Sequence, residues 1–229
     1  MDALVNELMK ELNCDTVFTI PVLGGIPVKE SVVVTWIIMA VILVLCIALT
    51  RNLSVENPSR GQIILETIVS GGHNFFKDTL GEHGAEYIPY LMTVTLYIGI
   101  ANLIGLLGFK PPTKDMNVTA ALAFMSIVLI EVAGIRQKGA KGWVKSFAEP
   151  IPIILPINIM EIFIKPLSLC MRLFGNVLGA YIVMELIIYC VPAVVPLVAS
   201  AYFDIFDGIL QAYVFCFLTS LFIQESIED

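Results

Sequence analysis

Val32 to Thr50 runs for 19 residues without a charge, between Lys29 and Glu30 on one side and Arg51 on the other. At 1.5 Å per residue, a helix of that length crosses a hydrocarbon core of about 30 Å. Inside lipid, only a helix or a closed barrel satisfies every backbone N–H and C=O. Tyr87 to Phe109 repeats the feature over 23 uncharged residues and is closed by Lys110, Pro111 and Pro112. Val118 to Ile135 makes a third run, interrupted only by Glu131. With 58% hydrophobic and 14% charged residues, the chain lacks the polar surface of a water-soluble domain, and a net charge of -7 argues against nucleic acid as a partner.

Between the first two spans, Asn57, Pro58 and Ser59 break the chain. The segment from Gln62 to Leu80 then mixes Ile63, Ile64, Ile68, Phe75 and Phe76 with Glu66, His73, Lys77 and Asp78, a pattern that lies along an interface. Arg136, Lys138, Lys141 and Lys145 form the densest basic cluster, which the positive-inside rule assigns to the cytoplasm. Counting spans from that point puts the N-terminus outside and the C-terminus inside. Met1 to Cys14 lacks the basic start and apolar core of a cleavable signal peptide, so the first span is expected to direct insertion.

Ile157 to Tyr189 and Ala193 to Gln224 both read as helices of about 50 Å. That is far more than a perpendicular crossing needs, so strong tilt or protrusion is expected. The expected architecture is an all-α membrane protein, one membrane domain with five embedded helices and one interfacial amphipathic helix. Its parts are an external N-terminal arm (1–31), a first span (32–50), an interfacial helix (60–81), spans at 87–109 and 118–135, a cytoplasmic basic loop (136–149), and long tilted helices at 157–189 and 193–224.

The two long helices carry organised polarity. Glu161, Lys165, Ser168, Arg172, Asn176 and Gly179 fall on one stripe at helical spacing, amid Ile, Leu, Phe, Met and Val. Ser200, Asp204, Asp207 and Gln211 form a second stripe on the last helix. Arginine keeps its proton in a protein, and a charge near mid-bilayer costs at least about 2.5 kcal/mol, so such residues face a bundle interior or a water-filled cavity. Arg172 either serves transport, pairs structurally with Glu161 or Asp207, or snorkels to an interface. Asn176 and Gln211 serve as interhelical glue, as transport residues, or as both. Glu161 and Lys165 have the spacing of a local ion pair near the cytoplasmic surface. Asp204 and Asp207 repel one another when both are ionised, which suits a proton relay, although water-exposed headgroup positions would also hold them. Glu131 either caps its span or belongs to the access route. No metal or cofactor is expected: His73 and His83 lack ligand spacing, and Cys46, Cys170, Cys190 and Cys216 stand singly in apolar stretches.

Four stretches carry a family resemblance: "PPTKDMNVT", "ILPINIMEIFIKP", "PLSLCMRLFGN" and, thirty-odd residues further on, "LQAYVFCFLTS". Together they resemble the a subunit of F-type ATP synthases, the stationary membrane subunit beside the rotating c ring, over almost the whole chain. The resemblance implies an ion-translocating subunit with no catalytic site of its own. It implies two offset aqueous half-channels, with Arg172 facing the ion-binding carboxylate of each passing c subunit and Asn176 and Gln211 at the family's asparagine and glutamine positions. The implied partners are the c ring, the b subunits of the peripheral stalk and the rest of the complex, in a bacterial plasma membrane or, alternatively, a thylakoid membrane.

Many members carry an acid nine positions after the motif arginine, where this chain has Tyr181. Glu185, Asp204 and Asp207 are expected to take its place in the outer half-channel; Asn176, Gln211, Ser168, Ser200 and Glu161 are expected as further half-channel lining. Two other readings compete. A lone transporter or channel would need a discontinuous helix pair in corresponding halves, which the sequence lacks. An intramembrane aspartyl hydrolase would need Asp204 and Asp207 to face one another, whereas one helix presents them side by side.

Overall fold

The computed structural model describes residues 16–20, 26–51, 53–54, 58–81, 84–107, 109–146, 153, 155–190 and 195–228. His83 and Glu149 lie outside the described residues. Helices α1 (Glu30–Thr50), α2 (Arg60–Leu80), α3 (Ile88–Leu103), α4 (Met116–Ser146), α5 (Leu155–Cys190) and α6 (Val195–Glu228) follow in order. Five of them, all but α2, are long and apolar enough to cross a membrane, as the uncharged runs require. The chain is an all-α membrane protein of multi-pass type.

Exposure follows lipid rather than water. Along α1 only Ser31, Val34 and Ile38 are buried, while Trp36, Leu43, Val44 and Ile47 stand exposed. In water that surface would aggregate; in a bilayer it is solvated. The densest packing joins α3 to α6 and α4 to both α5 and α6. Its centre is formed by Leu91 and Ile98 of α3, Ile130 of α4, Leu173 of α5, and Phe215 and Ile223 of α6, each at most 2% exposed. The amphipathic α2, capped by the Ser59 hydroxyl that accepts from Gln62 N, buries Phe76 and Leu80. Phe75 packs on Tyr213 and Phe217 of α6 at ring separations of 5.4 and 6.0 Å.

Three local structures differ from the sequence reading. The arm before α1 contains an antiparallel hairpin, β1 (Thr16–Ile20) with β2 (Ile26–Lys29). The segment read as a basic loop is helical through Ser146, continuing α4 across Gly139, which sits at φ 73 where side chains are strained. The turn there folds the last segment back. Trp143 Nε1 donates to Glu131 Oε2 at 2.9 Å, whereas a straight helix would hold residues twelve apart about 18 Å from one another. Finally, α6 is not uniform, since Ala201–Asp207 adopts a π-helix within it.

At 36 and 34 residues, α5 and α6 are each about 50 Å long, so both exceed the hydrocarbon core and must tilt or protrude. Pro166 lies inside α5 and withholds one N–H, a loss that membrane helices tolerate.

Candidate functional site

The chain's two ends of polarity are set by three long-range contacts. Arg136 pairs with Glu86 at 3.3 Å, Lys165 with Glu225 at 3.0 Å, and Ser226 Oγ donates to Ile130 O at 3.1 Å. These gather the start of α3, the basic end of α4, the beginning of α5 and the end of α6 at one level. The opposite ends of α3, α5 and α6 border a cavity of about 580 Å³.

Its wall takes Tyr181 and Glu185 from α5, and Ser200, Asp204 and Asp207 from α6. Asn102 and Gly105 come from α3 and its 3-10 extension, and Lys110 from the turn beyond. The π-helix carries both aspartates, and both reach the cavity despite its wider turn. Asp204 accepts from Ser200 Oγ at 2.6 Å. Its near neighbour is a bare backbone: a Cβ added at Gly105 would stand 2.9 Å from Asp204 Oδ1. Among the described residues no hydrogen bond joins Asp204 to Asp207, so the shared-proton dyad of the hydrolase reading gains nothing from the geometry.

Deeper in the bilayer the cavity ends at Val177, Asp207 and Gly208. One step beyond, Asn176 Nδ2 donates to Gln211 Oε1 at 2.6 Å and ties α5 to α6. Gln211 is 1% exposed, and its Nε2 has no acceptor among the described residues. Arg172 lies one helical turn before Asn176 on the same stripe and is half-buried. Among the described residues it makes no hydrogen bond or ion pair, so neither Glu161 nor Asp207 is its partner. Glu161 instead pairs with Lys165 at 3.4 Å, and Lys165 bridges it to Glu225. Ser168, between the two groups, is exposed.

The cavity therefore brings together Glu185, Ser200, Asp204 and Asp207, leaves Asn176, Gln211 and Arg172 just beyond its inner end, and does not include Glu161 or Ser168. Glu131 is held by Trp143 at the basic end.

Sequence reasoning did not single out Asn102. It is buried, donates to Gly208 O at 3.1 Å and accepts from Thr113 Oγ1 at 2.9 Å, fixing the turn 110–115 to both α3 and α6. The available signal was its isolation as the one amide side chain in the run Tyr87 to Phe109. The turn is held from a third side by Asp115, which accepts from Ser31 Oγ at 2.7 Å and pairs with Lys29 at 3.6 Å. Burial pushes the Asp115 carboxyl up, but the Ser31 hydroxyl, the Asn117 N–H and the Lys29 ammonium together outweigh it and hold the group below the usual value.

Residues 32–224 match the family described as ATP synthase A chain. The chain is 36% identical over 202 residues to the ATP synthase subunit a of Moorella thermoacetica, covering 88% of this chain and 92% of that one. Against ATP synthase subunit a 1 of Pelobacter propionicus it is 37% identical over 205 residues, 87% and 88% of the two chains. Against the subunit a of Legionella pneumophila it is 32% identical over 207 residues, 90% of each. The matched stretch takes in Arg172, Asn176, Gln211 and the whole cavity wall.

Proposed function

This chain belongs to the ATP synthase A chain family, and on that premise we propose that it is the stator of the membrane sector, carrying ions between two aqueous half-channels and a turning c ring. The observation that carries the proposal is the half-buried Arg172, which has no ion pair or hydrogen bond among the described residues and lies about one and a half turns from the inner end of a carboxylate-lined cavity. A cation left unpaired among the described residues is available to a carboxylate from another chain.

The cavity is the outer half-channel. It opens at the end of the bundle opposite Arg136, Lys138, Lys141 and Lys145, and basic residues mark the cytoplasmic side. Glu185, Asp204 and Asp207 line it, and Ser200 orients Asp204 through their hydrogen bond. Tyr181 at the family's acid position leaves the carboxylate role to these three. Ser168 and Glu161, on the basic side of Arg172, line the inner half-channel.

Arginine holds its charge at any working pH, so Arg172 favours the deprotonated form of a rotor carboxylate that comes opposite it and separates the two channels electrostatically. An arriving rotor group releases its ion to one side and takes one up from the other. Each elementary charge that crosses 100 mV gains about 2.3 kcal/mol, which rotation delivers to the rest of the ATP synthase. Asn176 and Gln211 hold α5 and α6 at a fixed spacing beside the arginine. The b subunits of a peripheral stalk keep the chain from turning with the ring, in a bacterial plasma membrane.

The test is Arg172→Ala in the complete complex. ATP-driven pumping into vesicles should vanish while the complex still assembles and co-purifies with its ring. Retained coupled pumping would overturn the assignment.

A further inference from the structure

Lys114 is buried at 5% exposure, ends the 3-10 turn Pro112–Lys114, and has no role in the translocation steps above. Lysine is among the residue types least often buried without a partner, because its ammonium loses hydration there. Its Nζ lies 4.2 Å from the centroid of the Tyr181 ring. That ring belongs to the cavity wall, and so do Lys110 and Pro111 of the turn that carries Lys114.

The turn is already fixed to three helices. Thr113 bonds Asn102 of α3, Asn102 bonds Gly208 of α6, and Asp115 bonds Ser31 of α1. Lys114 adds an arm across to α5, the remaining helix of the cavity wall. An apolar side chain would fill the same space without the desolvation cost of an ammonium. What the cation adds is directionality, because it is attracted to the face of the ring and so fixes how Tyr181 stands.

We propose that Lys114 and Tyr181 form a latch that sets the width of the cavity's outward opening, so that Tyr181 is a positioning residue and not an ion carrier. This rests on the reading of the cavity as an aqueous half-channel. The latch needs a cation at 114 and an aromatic face at 181; it does not need the phenol hydroxyl as a proton donor to the path.

The test reads access rather than transport. Met184, on the cavity wall, is replaced by Met184→Cys in the assembled complex. The sealed membranes are exposed from outside to impermeant methanethiosulfonates, one cationic and one anionic. Peptide mass spectrometry follows modification at 184 alone, so the native cysteines do not count. Lys114→Gln and Tyr181→Leu should each raise the labelling rate by about threefold or more with both reagents, the low end of the scale for one cation–π contact. Combined, they should do no more than either alone. Lys114→Arg and Tyr181→Phe should stay near the parent rate.

A smaller rise in both opening variants would overturn the latch. So would a rise with the cationic reagent matched by a fall with the anionic one, which is a charge effect without widening. If one opening variant fails to assemble, the other reads the same contact. A parent cysteine that labels but ignores the latch variants rejects the latch and leaves the half-channel standing. Absence of labelling in every variant rejects the aqueous cavity and the latch with it.

Discussion

Asn176 gives its side-chain N–H to Gln211 Oε1 across α5 and α6, and the Gln211 Nε2 beside it is buried with no acceptor among the described residues. The bond joins two helices at the level of Arg172 while leaving one donor unused. Interhelical hydrogen bonds in membranes average about 0.6 kcal/mol, so Asn176→Val should cost the folded complex less than about 1 kcal/mol. Pumping should fall several-fold, because the spacing of α5 and α6 beside the arginine is no longer held. Thermal melting and ATP-driven pumping of the same preparation check the split; a large melting shift with normal pumping would make the pair structural only.

The three cavity carboxylates share one space, so their loss should be cumulative. Glu185→Gln, Asp204→Asn and Asp207→Asn should each lower ATP-driven pumping, and the triple variant should abolish it while ring association persists. Pumping that survives all three substitutions together removes them from the path.

Two glycines separate function from packing. Gly105→Ala places a methyl 2.9 Å from Asp204 Oδ1, at the end of a side chain able to rotate away. It should disturb the Ser200–Asp204 bond and slow pumping with little loss of stability. Gly208→Ala instead meets Asn102 Cβ at 2.9 Å, an atom fixed by the backbone, and overpacking of this kind costs about 1 to 3 kcal/mol. Melting temperatures of the two variants should therefore diverge, with Gly208→Ala much the lower.

Asp115 makes the turn sensitive to acid. Its folded value is lowered, so its contribution to stability is fully present above the ordinary aspartate value of about 3.9 and disappears as pH falls through the lower folded value. At pH 7, Asp115→Asn should destabilise by about 1 to 3 kcal/mol, the cost of weakening a buried charge-assisted bond. Towards pH 3 the variant and the parent should converge in melting temperature. A difference that stays constant over that range would assign the stability to shape and not to charge.

The spans and both polar stripes were legible because each is written locally, in uncharged length or in helical spacing. Interhelical bonding by Asn176 and Gln211 was legible too, but not that they bond one another, since two residues 35 apart have no spacing rule that pairs them. The same reason hid Asn102 and Lys114, whose partners lie on other helices. Continuation of α4 into Lys141 and Lys145 was obscured by their charge, which marks a membrane boundary and says nothing against a helix. The hairpin of β1 and β2 escaped because its strands are only 5 and 4 residues long, with Pro27 inside the second.

Nothing in composition separates the π stretch Ala201–Asp207 from the α-helix on either side of it. A π turn is an α-helix carrying one surplus residue, and α and π stretches alternate only at the cost of a phase offset between the flanks. Winding the same residues as unbroken α-helix would let α6 run straight and would swing Val195 to Ser200 round the axis by about 100° relative to Gln211. The surplus residue acts as a phase shifter between the half of α6 that lines the cavity and the half whose Gln211 bonds Asn176.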